Sequence, residues 1–266
     1  MTGPRHHRQK ILAEVGGVGQ ERLTRGSVLI VGLGGLGSPV ALYLAAAGVG
    51  RLGLIDDQRV ELSNLQRQVL FSNEDLGQPK AEAARRRIVA LDPGLTVEAH
   101  VDSIRPVNAG RYLSAYDLVV DGTDAFEVKF LLNDAAVLLK RPLVHGAVLQ
   151  WGGQVLTVMP GGPCLRCLFR EPPDMGAVPS CEEAGIMGAT TGVVGSVQAE
   201  EAIKVLLEVG DPLSGRIFQH DGLRSENRTT SFSRDPRCPV CSIHARITDL
   251  ARYADQVSPR GYVLTG

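Results

Sequence analysis

Five residues stand at intervals suited to a phosphorylated ligand: Asp56, Asn64, Arg67, Lys80 and Asp124. Dinucleotide sites hold a bridging pyrophosphate mostly with backbone groups and seldom need side-chain cations. A triphosphate attacked at its α-phosphorus does need them, because charge develops on the departing pyrophosphate and Arg and Lys stabilise it. On this reading Arg67 and Lys80 serve the leaving group, and Gln68 adds an amide beside them. Asp124, at the end of a strand, is placed to hold Mg²⁺. Ordinary surface charge is the alternative for Arg67 and Lys80.

A second constellation is built from sulfur. Of the five cysteines, Cys164 and Cys167 form one CxxC pair, Cys238 and Cys241 form another, and Cys181 is left over. In a reducing compartment two CxxC pairs favour a tetrahedral zinc site over disulfides. The long gap between them excludes a local zinc finger, so the metal would staple the C-terminal segment to the middle of the chain. A redox CxxC is the alternative, without its usual thioredoxin-like surroundings. Cys181 sits in SCEEAG, where a nucleophile and a spare thiol are both open readings; Glu182 and Glu183 disfavour its thiolate. The six histidines show no ligand spacing.

The elements that must position these residues begin with an apolar run, Ser27 to Val31, of the kind buried on both faces of a parallel sheet. Gly32, Gly34 and Gly37 follow as G-x-G-x-x-G, with Pro39 in the first helical turn and small residues up to Gly48. Leu52 to Ile55 reads as the next strand and closes on Asp56, where an acid accepts hydrogen bonds from ribose hydroxyls. This fingerprint alone does not separate ATP from NAD, so an NAD-dependent oxidoreductase remains a rival. A helix from Lys80 to Ala90, strands at Thr96–Val101, Asp117–Asp121, Leu143–Val148 and Gln154–Val158, and a helix over Phe126–Leu139 complete an alternating pattern. That pattern implies an α/β, doubly wound, mostly parallel sheet with a C-terminal antiparallel extension and a zinc-stapled loop region. Beyond Met159 an irregular stretch leads to a helix over Gly192–Val209, strands at Arg216–His220 and Thr229–Ser233, and a polar tail. Residues 5–23 read as a short amphipathic helix and turn.

Composition excludes several classes. The 266 residues are 44% hydrophobic and 21% charged, sufficient for a sizeable core. A net charge of −1 and 5% aromatic residues give no case for nucleic acid. The N-terminus lacks a signal-peptide core, and the apolar segment Val40–Val49 is too short to span a bilayer, so a cytosolic, cytoplasmic protein is expected.

GLGGLG, LIDDQRVELSNLQRQ, GQPK, DGTD, PCLRC, SCEEAGIMG and CPVC together resemble the ThiF/MoeB/HesA family, bacterial relatives of ubiquitin-activating enzymes. The resemblance implies a homodimeric adenylyltransferase with a Rossmann-like core. It would use Mg-ATP to adenylate the C-terminal glycine of a small ubiquitin-like sulfur carrier ending in Gly-Gly. Gly34 and Gly35 would lie on the phosphate loop and Asp56 at the ribose. Ser63, Asn64, Leu65, Gln66, Arg67 and Lys80 would surround the phosphates, with Asp124 positioning magnesium and Ala125 next to it at the nucleotide. Arg8 would reach the partner subunit's ATP, and Cys181 corresponds to a crossover-loop cysteine that some members use in sulfur transfer. The family commonly has Asn after the magnesium aspartate, where this chain has Ala125. Sulfur would come from a separate sulfurtransferase or cysteine desulfurase, for molybdopterin, thiamine or related thio-cofactor or tRNA synthesis. A non-catalytic carrier-binding relative is the other rival, against which intact Arg67, Lys80 and Asp124 speak. The expected organisation is a single domain over 1–266. It comprises a helical arm (5–25), the ATP-binding core (26–158), a zinc and crossover loop (159–190), a carrier-binding part (191–248) and a tail (249–266).

Overall fold

The computed structural model describes residues 4–174, 177, 181–250, 253, 257–258 and 261–262. In chain order the elements begin with α1 (His7–Lys10), α2 (Gly16–Arg25), β1 (Ser27–Val31), α3 (Gly37–Ala47) and β2 (Arg51–Ile55). They continue with α4 (Lys80–Leu91), β3 (Thr96–His100), α5 (Pro106–Ser114), β4 (Leu118–Asp121), α6 (Phe126–Leu139), β5 (Leu143–Leu149) and β6 (Gly152–Val158). The last are α7 (Leu165–Leu168), α8 (Cys181–Ala184), α9 (Gly188–Leu207), β7 (Arg216–Asp221) and β8 (Glu226–Ser231). A two-residue pairing joins Val257–Ser258 to Gly261–Tyr262.

Eight strands form one sheet in the order β3-β2-β1-β4-β5-β6-β7-β8. The first five pair in parallel, and from β5 onward each pairing is antiparallel. The expected doubly wound sheet with an antiparallel C-terminal extension is therefore present.

Strand β1 explains why the sheet has helices on both faces. Its residues alternate between two cores: Val28 and Ile30 join one, Leu29 and Val31 the other. A continuous apolar run needs a cover on each side. Leu44 of α3, Ile88 of α4 and Ala202 of α9 supply one cover. Leu113 of α5, Leu132 of α6 and Leu165 of α7 supply the other. Helix α3 ends at Gly48, whose φ of 82° is the left-handed conformation that stops a helix.

Several boundaries differ from expectation. The arm is two helices, α1 and α2, rather than one. Helix α9 starts four residues earlier than Gly192 and ends before Val209, and its first turn packs on the site, Thr191 against Gly35 and Gly188 against Gln66. The irregular stretch before it contains α7 and α8. Helix α5 is an addition to the expected elements, although Ala109, Tyr112 and Leu113 stand at helical spacing; Pro106 at its first position and the Asn108 side chain accepting from Arg105 N–H at 2.7 Å start it. The tail is not uniformly polar: Tyr253 is buried in the second core and Leu250 packs against it. Among the described residues no helix is long and apolar enough to cross a membrane.

Candidate functional site

The C-terminal ends of β1, β2 and β4 open onto one cavity of about 780 Å³, where ligands bind in open α/β sheets. Gly34, Gly35, Asp56, Asn64, Arg67, Lys80, Asp124 and Ala125 all line it. Eight sequence-predicted residues, spread over some ninety positions, therefore share one space. Lys80 begins α4 and is 3% exposed, its Nζ donating to Gln58 Oε1 at 2.7 Å. Asp56 accepts from Leu33 N–H at 2.8 Å and Gln58 N–H at 2.9 Å, which ties the ribose-side acid to the glycine loop. Burial pushes the Asp56 pKa up, against the pull of Lys80 and the two N–H groups. Asn64 is buried in the turn after Glu61 and accepts from its N–H at 3.3 Å. Arg67 donates to Ser63 O at 3.2 Å.

Other expected contacts fall elsewhere. Ser63, Leu65 and Gln66 share the turn with Asn64 but do not line the cavity. Leu65 packs against the core instead, and Gln66 meets α9, since a Cβ on Gly188 would lie 2.3 Å from Gln66 O. Asp124 does not end a strand: β4 stops at Asp121, and Asp124 stands exposed in the loop before α6, where Ala125 is the N-cap. Arg8 is exposed on α1, outside the cavity of its own chain. Cys181 opens α8, and its side chain lies outside the described residues.

The structure also adds Asp102, Ser103 and Ile104, just past β3, and Thr191 of α9 to the cavity wall. The rule that ligands sit beyond the carboxyl ends of parallel strands could have found the first three. Thr191 had no such signal. Gln68 is buried at the same wall, and its Oε1 has no partner.

A second, larger hollow of about 1250 Å³ adjoins the first. Leu149, Gln154, Gln219 and Arg228 line it from the antiparallel half of the sheet, and Thr123, Asp124, Ala125 and Val148 belong to both spaces. Beneath this junction lies a buried polar cluster. Lys129 Nζ reaches Asp121 Oδ2 at 3.2 Å, and His145 Nδ1 lies 2.8 Å from the same oxygen. Burial opposes ionisation of Asp121, but the Lys129 ammonium and the His145 hydrogen bond outweigh it and bring its pKa to about 2. Burial holds the His145 pKa below its ordinary value.

The four CxxC cysteines converge although 74 residues separate the pairs. Sγ separations are 4.0 Å for Cys164–Cys167, 3.6 Å for Cys164–Cys238 and 3.4 Å for Cys167–Cys241. Tetrahedral zinc with Zn–S of about 2.3 Å places sulfurs about 3.8 Å apart, so the set fits that ion. Between the first two cysteines Arg166 is buried, its Nε 2.8 Å from Asp134 Oδ1. Tyr253 bonds both partners, and Arg166 also lies 4.8 Å over the Phe130 ring.

Comparison with known proteins agrees with this arrangement. The ThiF family profile matches residues 6–240. A Thermus thermophilus "sulfur carrier protein adenylyltransferase" is 52% identical over 255 residues, covering 94% of each chain. A Haloferax volcanii "SAMP-activating enzyme E1" is 44% identical over 237 residues, covering 89% of this chain and 88% of its own. A crystal structure of E. coli MccB with ATP superposes with a TM-score of 0.79 at 22% identity, over 90% of this chain and 75% of that one; this likeness concerns the fold. With a family profile over most of its length and such a relative along nearly all of it, the chain belongs to the ThiF family.

Proposed function

We propose that this chain adenylates the C-terminal carboxylate of a small ubiquitin-like sulfur-carrier protein with ATP, releasing pyrophosphate. One observation carries the reading: the nucleotide-type cavity and the larger hollow meet at Thr123, Asp124 and Ala125, so two substrates can approach one point. The named relatives support the choice of carrier.

The chemistry asks little of acids and bases. A carboxylate oxygen of the carrier attacks the α-phosphorus, and the bond to the β-bridging oxygen breaks. Pyrophosphate leaves with that electron pair, and the carrier becomes an acyl adenylate. The protein's task is alignment and charge neutralisation. Asp56 accepts from the ribose hydroxyls, and the loop at Gly34 and Gly35 with the N-terminus of α3 offers N–H groups to the phosphates. Asn64, Arg67 and Lys80 hold the β- and γ-phosphates, where the leaving charge gathers. Asp124, exposed and without an ion-pair partner among the described residues, suits a hydrated Mg²⁺. When bound there, magnesium supplies charge neutralisation on the phosphates. Ser63, Leu65 and Gln66 act by shaping the turn. The CxxC set holds structural zinc, and Cys181 belongs to sulfur delivery rather than adenylation.

The reading extends to a cytoplasmic homodimer in which Arg8 serves the partner's nucleotide. An apolar hollow lined by Leu42, Tyr43, Ala46, Val69 and Leu91 supports a second copy. A separate sulfur donor would then serve molybdopterin, thiamine or a related pathway. The test is ATP–pyrophosphate exchange against a panel of Gly-Gly carriers, with exchange expected and lost in Asp124→Ala. Absence of exchange with every carrier, or saturable NADH binding, refutes the proposal.

A further inference from the structure

A buried charge cluster beside the junction takes no part in the chemistry above. Lys129 borders the larger hollow but is only 3% exposed, and Asp121 and His145 are buried beside it. Lys129 Nζ donates to Gly146 O at 2.6 Å and to Asp121 Oδ2 and Oδ1 at 3.2 and 3.4 Å. The Gly146 carbonyl and the Asp121 carboxylate thus engage its ammonium. Asp121 Oδ1 accepts in turn from Thr123 N–H at 3.0 Å and Thr123 Oγ1 at 2.7 Å. From the other face, Gln198 Nε2 donates to Asp121 O at 2.8 Å.

A buried ion pair is poor material for stability alone, because apolar side chains of similar size do as well. What this one does is join three pieces of the site. Through Asp121 it grips Thr123, the neighbour of Asp124. Lys129 itself stands one turn into α6. Through Gly146 it grips β5 immediately before Ala147, Val148 and Leu149, which border the larger hollow. A Cβ on Gly146 would lie 2.4 Å from Gln198 Cδ, so the strand is pressed from behind as well.

We propose that Lys129 is a positioning residue for adenylation, holding the Asp124 loop and the β5 border of the hollow in register so that nucleotide and carboxylate meet in line. The inference rests on the proposed reaction. Misplacement of reacting atoms by about 1 Å costs on the order of 10²-fold in rate.

The test uses carrier-dependent pyrophosphate exchange, thermal unfolding and direct ATP titration. Lys129→Met alone leaves the Asp121 carboxylate buried without its ammonium, so the informative variant is the charge-balanced D121N/K129M. Its expected behaviour is a kcat lowered by about a hundredfold, with ATP Kd within about threefold and an unfolding midpoint near wild type. Lys129→Arg, which keeps the cation, should recover most of the kcat. A double variant with wild-type kcat overturns the proposal, as does a kcat loss that tracks loss of ATP binding and of fold. Wild-type protein without exchange on any carrier sinks the reaction itself, whereas exchange undiminished in the double variant sinks only the positioning role.

Discussion

A Cβ on Gly37 would lie 1.9 Å from Gly32 O, and both groups are backbone. Ordinary contact begins at 3.4 Å. Gly32 cannot retreat, since it has φ +82° and its own Cβ position lies 2.9 Å from Gly122. Overpacking a rigid site costs about 1–3 kcal/mol, and a backbone overlap belongs at the top of that range or above it. Gly37→Ala should therefore lose about 3 kcal/mol or more of stability. Gly34→Ala is the control: its Cβ meets nothing closer than Gln68 Nε2 at 3.8 Å, and it stands on the cavity wall. That variant should fold within about 1 kcal/mol of wild type. Its backbone N–H remains, but the added methyl stands where a phosphate would approach the loop, so ATP should bind about ten- to a hundredfold more weakly, as for one charged hydrogen bond worth about 1.5–3 kcal/mol. Urea unfolding followed by circular dichroism measures the first effect and titration calorimetry the second. Equal stability of the two variants, or unchanged ATP affinity in Gly34→Ala, refutes the reasoning.

Three further outcomes are expected. Arg166→Met strands the Asp134 carboxylate in the core and should cost about 3–5 kcal/mol in urea unfolding, while R166M/D134L costs much less; equal losses count against a buried pair. Asp121 and His145 both have folded pKa values below their unfolded ones, so each favours the fold above its unfolded value and loses that contribution on acidification. The His145 share should fade below about pH 6.5, and that of Asp121, about 2 kcal/mol, between about pH 4 and 2; a urea midpoint flat down to pH 3 contradicts this. Elemental analysis should find about one zinc per chain, lost in Cys238→Ser, and a folded metal-free protein removes the assignment.

The residues that sequence disclosed are those whose role is local. Val28 to Gly37 announces a strand, a turn and a helix because periodicity and glycine spacing act over a few positions. Asp56, Arg67 and Lys80 follow from distance along the same unit. The polar interior stayed hidden for the opposite reason. Lys129 falls among helical residues as any surface lysine does, and only the crossing from β4 to β5 brings it to Asp121 and Gly146. Arg166 looks like filler between two ligands, yet Asp134 lies 32 positions away and Tyr253 87. Burial of a charge is a property of the assembled layers, and spacing cannot report it. Asp124 shows a subtler miss: its place in the site was legible, but it stands in the loop three residues beyond the strand end at Asp121 rather than on the strand itself.

The two cysteine pairs carry a topological consequence. A cation shared by them, with matching cysteines 74 positions apart, turns the chain between the pairs into a closed ring that includes α8, α9, β7 and β8. Cross-linking a ring of that size removes chain entropy from the unfolded ensemble worth about 4 kcal/mol on the polymer estimate. It also changes what a break means. A protease nick anywhere within the ring would leave both fragments on one particle, held until a chelator or an oxidant opens the clasp.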